Sequence, residues 1–292
     1  MLHPKTLTTI KDLPLLAKTV VDGFMNGFNK STLKGPGLEF SQYRSYQPGD
    51  DLRWMDWRMF ARSDRYYIRE SEVETSISVR FLVDASASMN HDDNGILKIE
   101  YARMLAASLA WLANLQGDSV ALNVFQDGKL FSLPSKPDPQ HLQRLFYHLE
   151  QVKPDGQFTK PANYKELFAG NGRKELLIFV TDMYQANGEI LSLLTTLAAL
   201  RHEIIVFHLM GQNELDFDFK GYTTLEDMET GETIQINTQT AKATYQAKLQ
   251  QHLSAIKNEL LGKRIAYRML STSQPLDEAL RDFLVQRKKG LV

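Results

Sequence analysis

The run Phe81-Leu82-Val83-Asp84-Ala85-Ser86-Ala87-Ser88-Met89 constrains this chain more than any other. Ile77, Val79, Phe81 and Val83 alternate on one face, and Leu82 adds an apolar residue on the other, so the spacing predicts a strand buried on both sides by its end. A strand of that kind belongs at the centre of a sheet. It stops in a carboxylate and two hydroxyls, Asp84, Ser86 and Ser88, which are too small to fill a core and all able to present oxygen to a hard cation.

The same pattern returns once. Lys174 to Thr181 is a second strongly apolar strand, and Asp182 follows it at once. Around these two runs, strands over 119–125, 203–210 and 264–270 alternate with helices over 96–115, 141–152, 189–200, 241–261 and 276–286. The turn Gln126-Asp127-Gly128-Lys129 leads into a short return strand over 130–133, which predicts an antiparallel edge. The expected fold is therefore α/β, a doubly wound, mostly parallel sheet with one antiparallel edge strand, spanning 76–292 with a polar hairpin insertion near 213–237. Residues 1–75 are expected to form an extension packed on it. That extension combines an amphipathic helix, with Leu13, Leu16, Val20 and Phe24 at helical spacing, and a segment rich in Arg, Asp and Trp.

In such sheets ligands bind outside the carboxyl ends of the strands, where the strand order reverses. Asp84 and Asp182 lie at two such ends. With Ser86, Ser88 and a hydroxyl from Thr159 they form the candidate metal set, and waters would complete an octahedral magnesium or manganese shell. Only two of these groups carry charge, so an acidic group from a partner protein would be welcome at the open position. That chemistry favours docking over catalysis. A phosphoester hydrolase working through the same cleft is the alternative, with His91 as the nearest histidine for proton transfer.

Other classes fail on specifics. A dehalogenase-like phosphatase needs a carboxylate where Ser86 stands, and Ser86 between Ala85 and Ala87 is no nucleophile elbow. The absence of cysteine removes thiol chemistry and thiolate zinc sites, and it suits a reducing, cytoplasmic home. The longest apolar stretches are far shorter than the ~20 residues of a spanning helix, so no membrane segment is expected. With 34 basic against 35 acidic residues the whole chain has no pull on nucleic acid. The arginine and aromatic mixture over 41–75 is also neutralised internally, its six arginines facing seven acids.

Asp84-Ala85-Ser86-Ala87-Ser88 resembles the Asp-x-Ser-x-Ser signature of the metal-ion-dependent adhesion site in von Willebrand factor A-type domains. Upstream, Gly35-Pro36-Gly37-Leu38-Glu39-Phe40, Arg44 to Arg53 and Asp56 to Arg62 resemble the defining segment of the bacterial domain of unknown function family 58. The resemblance covers Gly35 to about Asp182 by motif and the rest by element order. It implies a Rossmann-like A domain holding a divalent ion, usually magnesium, with Asp84, Ser86 and Ser88 as the first metal loop and Asp182 as the late aspartate. Gly156-Gln157-Phe158-Thr159 stands where relatives of the fold tend to have Gly-Thr, so Thr159 is offset. The resemblance also implies a partner class, MoxR-type AAA+ ATPases, in assembly or maturation of other proteins.

Overall fold

The computed structural model describes residues 3–30, 42–47, 55, 57–63, 65–70, 76–136, 138, 140–159, 174–185, 187–219 and 221–289. Contacts divide the chain into two units, 1–24 with 76–292, and 25–75. The chain begins with α1 (Pro4–Leu7) and α2 (Leu13–Lys30). Leu13, Leu16, Ala17, Val21 and Phe24 of α2 are buried, whereas Val20 is only half-buried. The apolar stripe is thus rotated slightly from the one the spacing predicts.

In the smaller unit β1 (Gln42–Ser45) pairs antiparallel with β2 (Tyr67–Glu70), and α3 (Trp57–Ser63) lies between them in sequence. Phe60 of α3 stacks on Tyr66 with ring centroids 4.5 Å apart, an aromatic contact that adds to simple burial. Most of the upstream block, including Gly35 to Phe40, Pro48 to Trp54 and Asp56, lies outside the described residues.

The larger unit is built on a six-stranded sheet. Its strands are β3 (Ser78–Asp84), β4 (Ser119–Gln126), β5 (Lys129–Leu133), β6 (Leu176–Thr181), β7 (Glu203–Met210) and β10 (Ala266–Ser271). The order is β10-β7-β6-β3-β4-β5, all parallel except β5, which returns antiparallel on β4. Asp127 and Gly128 make that return at φ 44° and 70°, the left-handed pair that a two-residue hairpin needs. The fold is α/β, with a doubly wound and mostly parallel sheet.

Burial follows position in the sheet. Every residue of β6 is buried, and β3 passes from alternation at its start to full burial at its end. On one face, α4 (Lys98–Leu115) packs across the central strands and against α5 (His141–Gln151) and α9 (Asp277–Lys289). On the other, α6 (Glu189–Ala199) lies against β7, and α8 (Thr238–Gly262) against β10. Leu82, Phe179, Leu193, Leu197, Ile256 and Leu260 form part of the core on that second face, each worth roughly 1.5–3 kcal/mol by removal from water. Two further elements complete this end of the molecule. A short helix α7 (Gln212–Asp216) follows β7, and β8 (Tyr222–Glu226) and β9 (Thr233–Asn237) pair antiparallel as a separate two-stranded hairpin.

Candidate functional site

The strand order reverses between β3 and β6: from β3 the chain moves outward to β4 and β5, then returns to β6 and continues the other way. Asp84 ends β3 and Asp182 follows β6, so both aspartates stand at the switch point that doubly wound sheets use for ligands. Both are buried.

Asp84 is held by the loop it opens. Its Oδ1 accepts the Ser86 amide at 3.0 Å and the Ser86 hydroxyl at 2.8 Å. Its Oδ2 accepts the Thr181 hydroxyl at 2.6 Å, and that hydroxyl oxygen in turn accepts the Met183 amide at 2.9 Å. Thr181 therefore links the two strand ends, and the amide it accepts directs its proton toward Asp84. Ser86 and Ser88 place their hydroxyl oxygens 3.1 Å apart as the chain turns into the 3-10 segment Ala87–Asn90. Asp84, Ser86, Ser88 and Asp182 lie together at this end of the sheet.

Thr159 takes a different place. The loop before it is stitched to the first loop through its backbone, with Asp155 donating to the Ala85 carbonyl at 3.0 Å and Ala87 to that of Gly156 at 2.8 Å. Phe158 then turns inward onto Phe125 and Phe179, and Thr159 is exposed, its hydroxyl 2.9 Å from where a Cβ on Gly128 would sit. The threonine hydroxyl that reaches Asp84 belongs to Thr181 instead.

Three residues of the site carry no motif. Lys98, at the start of α4, is buried and donates to Asp182 Oδ2 at 3.1 Å and to Glu214 Oε1 at 3.0 Å. Glu214 is presented by α7, whose first amides, Gln212 and Asn213, are capped by Asp93 at 2.7 and 3.2 Å. The third is Glu229, at the tip of the β8–β9 hairpin, whose carboxylate comes up to the hydroxyls of Ser86 and Ser88 and feels the charge of Asp182. Its Oε1 is buried with no hydrogen-bond partner of ordinary geometry. A lysine at the first position of α4 and an acidic turn at Asp227-Met228-Glu229 were the visible signals, but neither reveals a direction.

Charge explains the electrostatics. Burial, reinforced by repulsion from Asp182, pushes the Asp84 carboxyl up to about 7 against the hydrogen bonds from Thr181 and Ser86. Burial acts on Asp182 in the same sense, but the Lys98 ammonium and the Tyr184 amide hold it below the usual carboxylate range. Burial works against the charge of Lys98 too, and Asp182 with Glu214 keeps it above its ordinary value. Glu229 is pushed up to about 7 by burial and by Asp182. Among the described residues, four carboxyl groups, Asp84, Asp182, Glu214 and Glu229, thus gather here, and the Lys98 ammonium pairs with two of them, Asp182 and Glu214.

That imbalance, with two serine hydroxyls in its midst, suits a hard divalent cation. Among the described residues no three His, Asp or Glu side chains converge into a ready cage, so the donors on offer are hydroxyls backed by carboxylates. Beside them opens a cavity of about 820 Å³, lined in part by Ser88, Lys98, Asp182, Met228, Ile234 and Leu253. His91 borders it but is paired with Asn213 at 2.8 Å.

The fold and site define a class: an open α/β protein with an acidic, hydroxyl-lined pocket at its switch point. Within that class the chain belongs to the family described as protein of unknown function DUF58, whose family model matches residues 42–255. It is 25% identical over 233 residues to uncharacterized proteins of Mycobacterium tuberculosis and Mycobacterium bovis, covering 78% of this chain and 72% of theirs. Similar solved structures include an aerotolerance-related membrane protein from Bacteroides fragilis with multiple mutations to serine, at 19% identity and TM-score 0.49, covering 73% of this chain and 100% of that one. The conserved hypothetical protein BatB from Bacteroides thetaiotaomicron matches with 17% identity and TM-score 0.47 over the same shares. The VWA domain of SpRpn10 matches at 11% identity and TM-score 0.42, over 73% of this chain and 95% of that one. Among the described residues no helix is long and apolar enough to cross a membrane.

Proposed function

We propose that this protein is a metal-dependent interaction adaptor of the von Willebrand factor A type rather than an enzyme. The observation that carries the reading is the pair of buried strand-end aspartates beside two serine hydroxyls, with more negative charge than Lys98 offsets. Magnesium, or manganese in its place, would be held by Ser86 and Ser88 with Asp84 and Asp182 behind them, and it would offer a Lewis-acidic position to an acidic residue of a partner protein. By its resemblance the partner is a MoxR-type AAA+ ATPase or a client of one, and the setting is the cytoplasm.

The test is direct. Titration calorimetry of the full chain with magnesium should give binding that Asp84→Ala abolishes and Ser86→Ala weakens. Capture of a MoxR-type ATPase should then need the metal and be lost on chelation. Equal magnesium binding by wild type and Asp84→Ala, with unchanged capture, would defeat the reading.

A further inference from the structure

The β8–β9 hairpin lies outside the sheet, yet its tip is fastened over the switch point at three places. The Tyr184 hydroxyl donates to Asp227 Oδ2. Gln157, on the loop stitched to the serine loop, donates to the Glu229 carbonyl at 3.4 Å. The Glu229 carboxylate itself comes up to the Ser86 and Ser88 hydroxyls, with Oε1 buried and unpartnered. The tip is also ordered from within, as Asp227 Oδ1 accepts the Glu229 amide at 2.8 Å and the Asp227 amide donates to the Glu232 carbonyl at 2.8 Å. A surface hairpin gains nothing by burying an oxygen it does not pair, since an unsatisfied buried acceptor costs about 1–3 kcal/mol. Such a group calls for an explanation.

We infer that Glu229 is the chain's own acidic ligand to the ion held at Ser86 and Ser88, so that the hairpin is a displaceable plug in the position a partner's carboxylate would take. This rests on the metal-dependent docking reading above and adds its regulation. Glu229 approaches the two serines, of which Ser88 lines the cavity, whereas Asp182 is committed to Lys98 and the Tyr184 amide. Tethered in this way, Glu229 competes at an effective concentration on the order of millimolar or more. A partner must therefore displace it or bind where the hairpin has already lifted. Among the described residues the hairpin pairs with no strand of the six-stranded sheet, so lifting it breaks no ladder of the core.

Manganese, followed by water-proton relaxation, tests this on the full chain. Manganese bound to wild type should relax water weakly, and a given acetate concentration should lower the signal less than it does in the variants. Glu229→Gln should weaken manganese binding roughly tenfold, as loss of one charged ligand would. It should also raise relaxation as water enters, and make the signal fall on addition of acetate. Tyr184→Phe, which loosens the tip without touching a carboxylate, should admit acetate with a smaller change in manganese affinity. Manganese binding by wild type with the same affinity, relaxation and acetate response in both variants would overturn the plug and leave the metal site standing. No manganese binding by wild type would overturn the metal reading itself, and the plug with it.

Discussion

Replacing Lys98 with methionine isolates the electrostatic logic of the site. Methionine keeps most of the apolar stem and removes the charge. The Lys98 side chain is 4% exposed and that of Asp182 is 2% exposed, while Glu214 is 22% exposed and can turn toward water. The penalty therefore falls on Asp182, and breaking one side of a buried ion pair costs about 3–5 kcal/mol. For a unit of this size that is a fall in melting temperature of roughly 6–20 °C. The pH dependence fixes the cause. In wild type the Asp182 contribution, from a lowered pKa, is present above the ordinary carboxylate value and lost below it. The Lys98 contribution, from a raised pKa, is present below the ordinary ammonium value and lost above it. Both are constant between about pH 5 and 9. In the variant Asp182 has lost its cation, so protonation relieves it and the gap to wild type should narrow at pH 5 relative to pH 8. Calorimetry in chelator gives both numbers. Magnesium at a hundredfold excess over Kd should then stabilise either protein by about 2.7 kcal/mol, and the variant should reach that stabilisation at a lower magnesium concentration than wild type. A loss below about 1 kcal/mol, or the same loss at both pH values, would refute the argument that Lys98 neutralises this end of the sheet.

Two further changes probe the frame. Glu175 accepts from Arg80 Nε at 2.7 Å and from the Ser78 hydroxyl at 2.9 Å, and these bonds hold its carboxyl below the usual range against burial. Its stabilisation is present above the ordinary carboxylate value and lost as pH falls through the lowered one. Glu175→Gln should therefore cost about 1.5–3 kcal/mol in urea unfolding at pH 7.5, and less at pH 4. Phe158→Ala removes the ring packed at 5.5 Å from Phe125 and 6.1 Å from Phe179. It should cost about 3–5 kcal/mol in urea unfolding and speed amide exchange at Asp155 and Ala87, the two donors that stitch the loops.

The central strands and their aspartates were legible because signal and position coincide: an apolar run and its polar stop are adjacent in sequence, and strand geometry places the stop at a sheet edge. The hairpin of β4 and β5 was legible for a similar reason, since Asp127-Gly128 encodes its own turn. Thr159 shows where this ends. Its direction is decided by two backbone hydrogen bonds and by the insertion of Phe158, neither of which spacing encodes, and the threonine hydroxyl on Asp84 comes from Thr181 across the switch point. Lys98 meets Asp182 and Glu214 only after 84 and 116 residues of intervening topology. Glu229 depends on how a polar excursion folds back, and polar residues in a turn read alike whether they meet solvent or a site.

The β8–β9 pair also bears on how such a protein can change over evolutionary time. It lies within the connection from β7 to β10, two strands that are neighbours in the sheet and keep their register without it. Insertions, deletions or a new tip sequence there would leave the parallel ladder untouched. The pocket floor and its cover can thus change independently of one another.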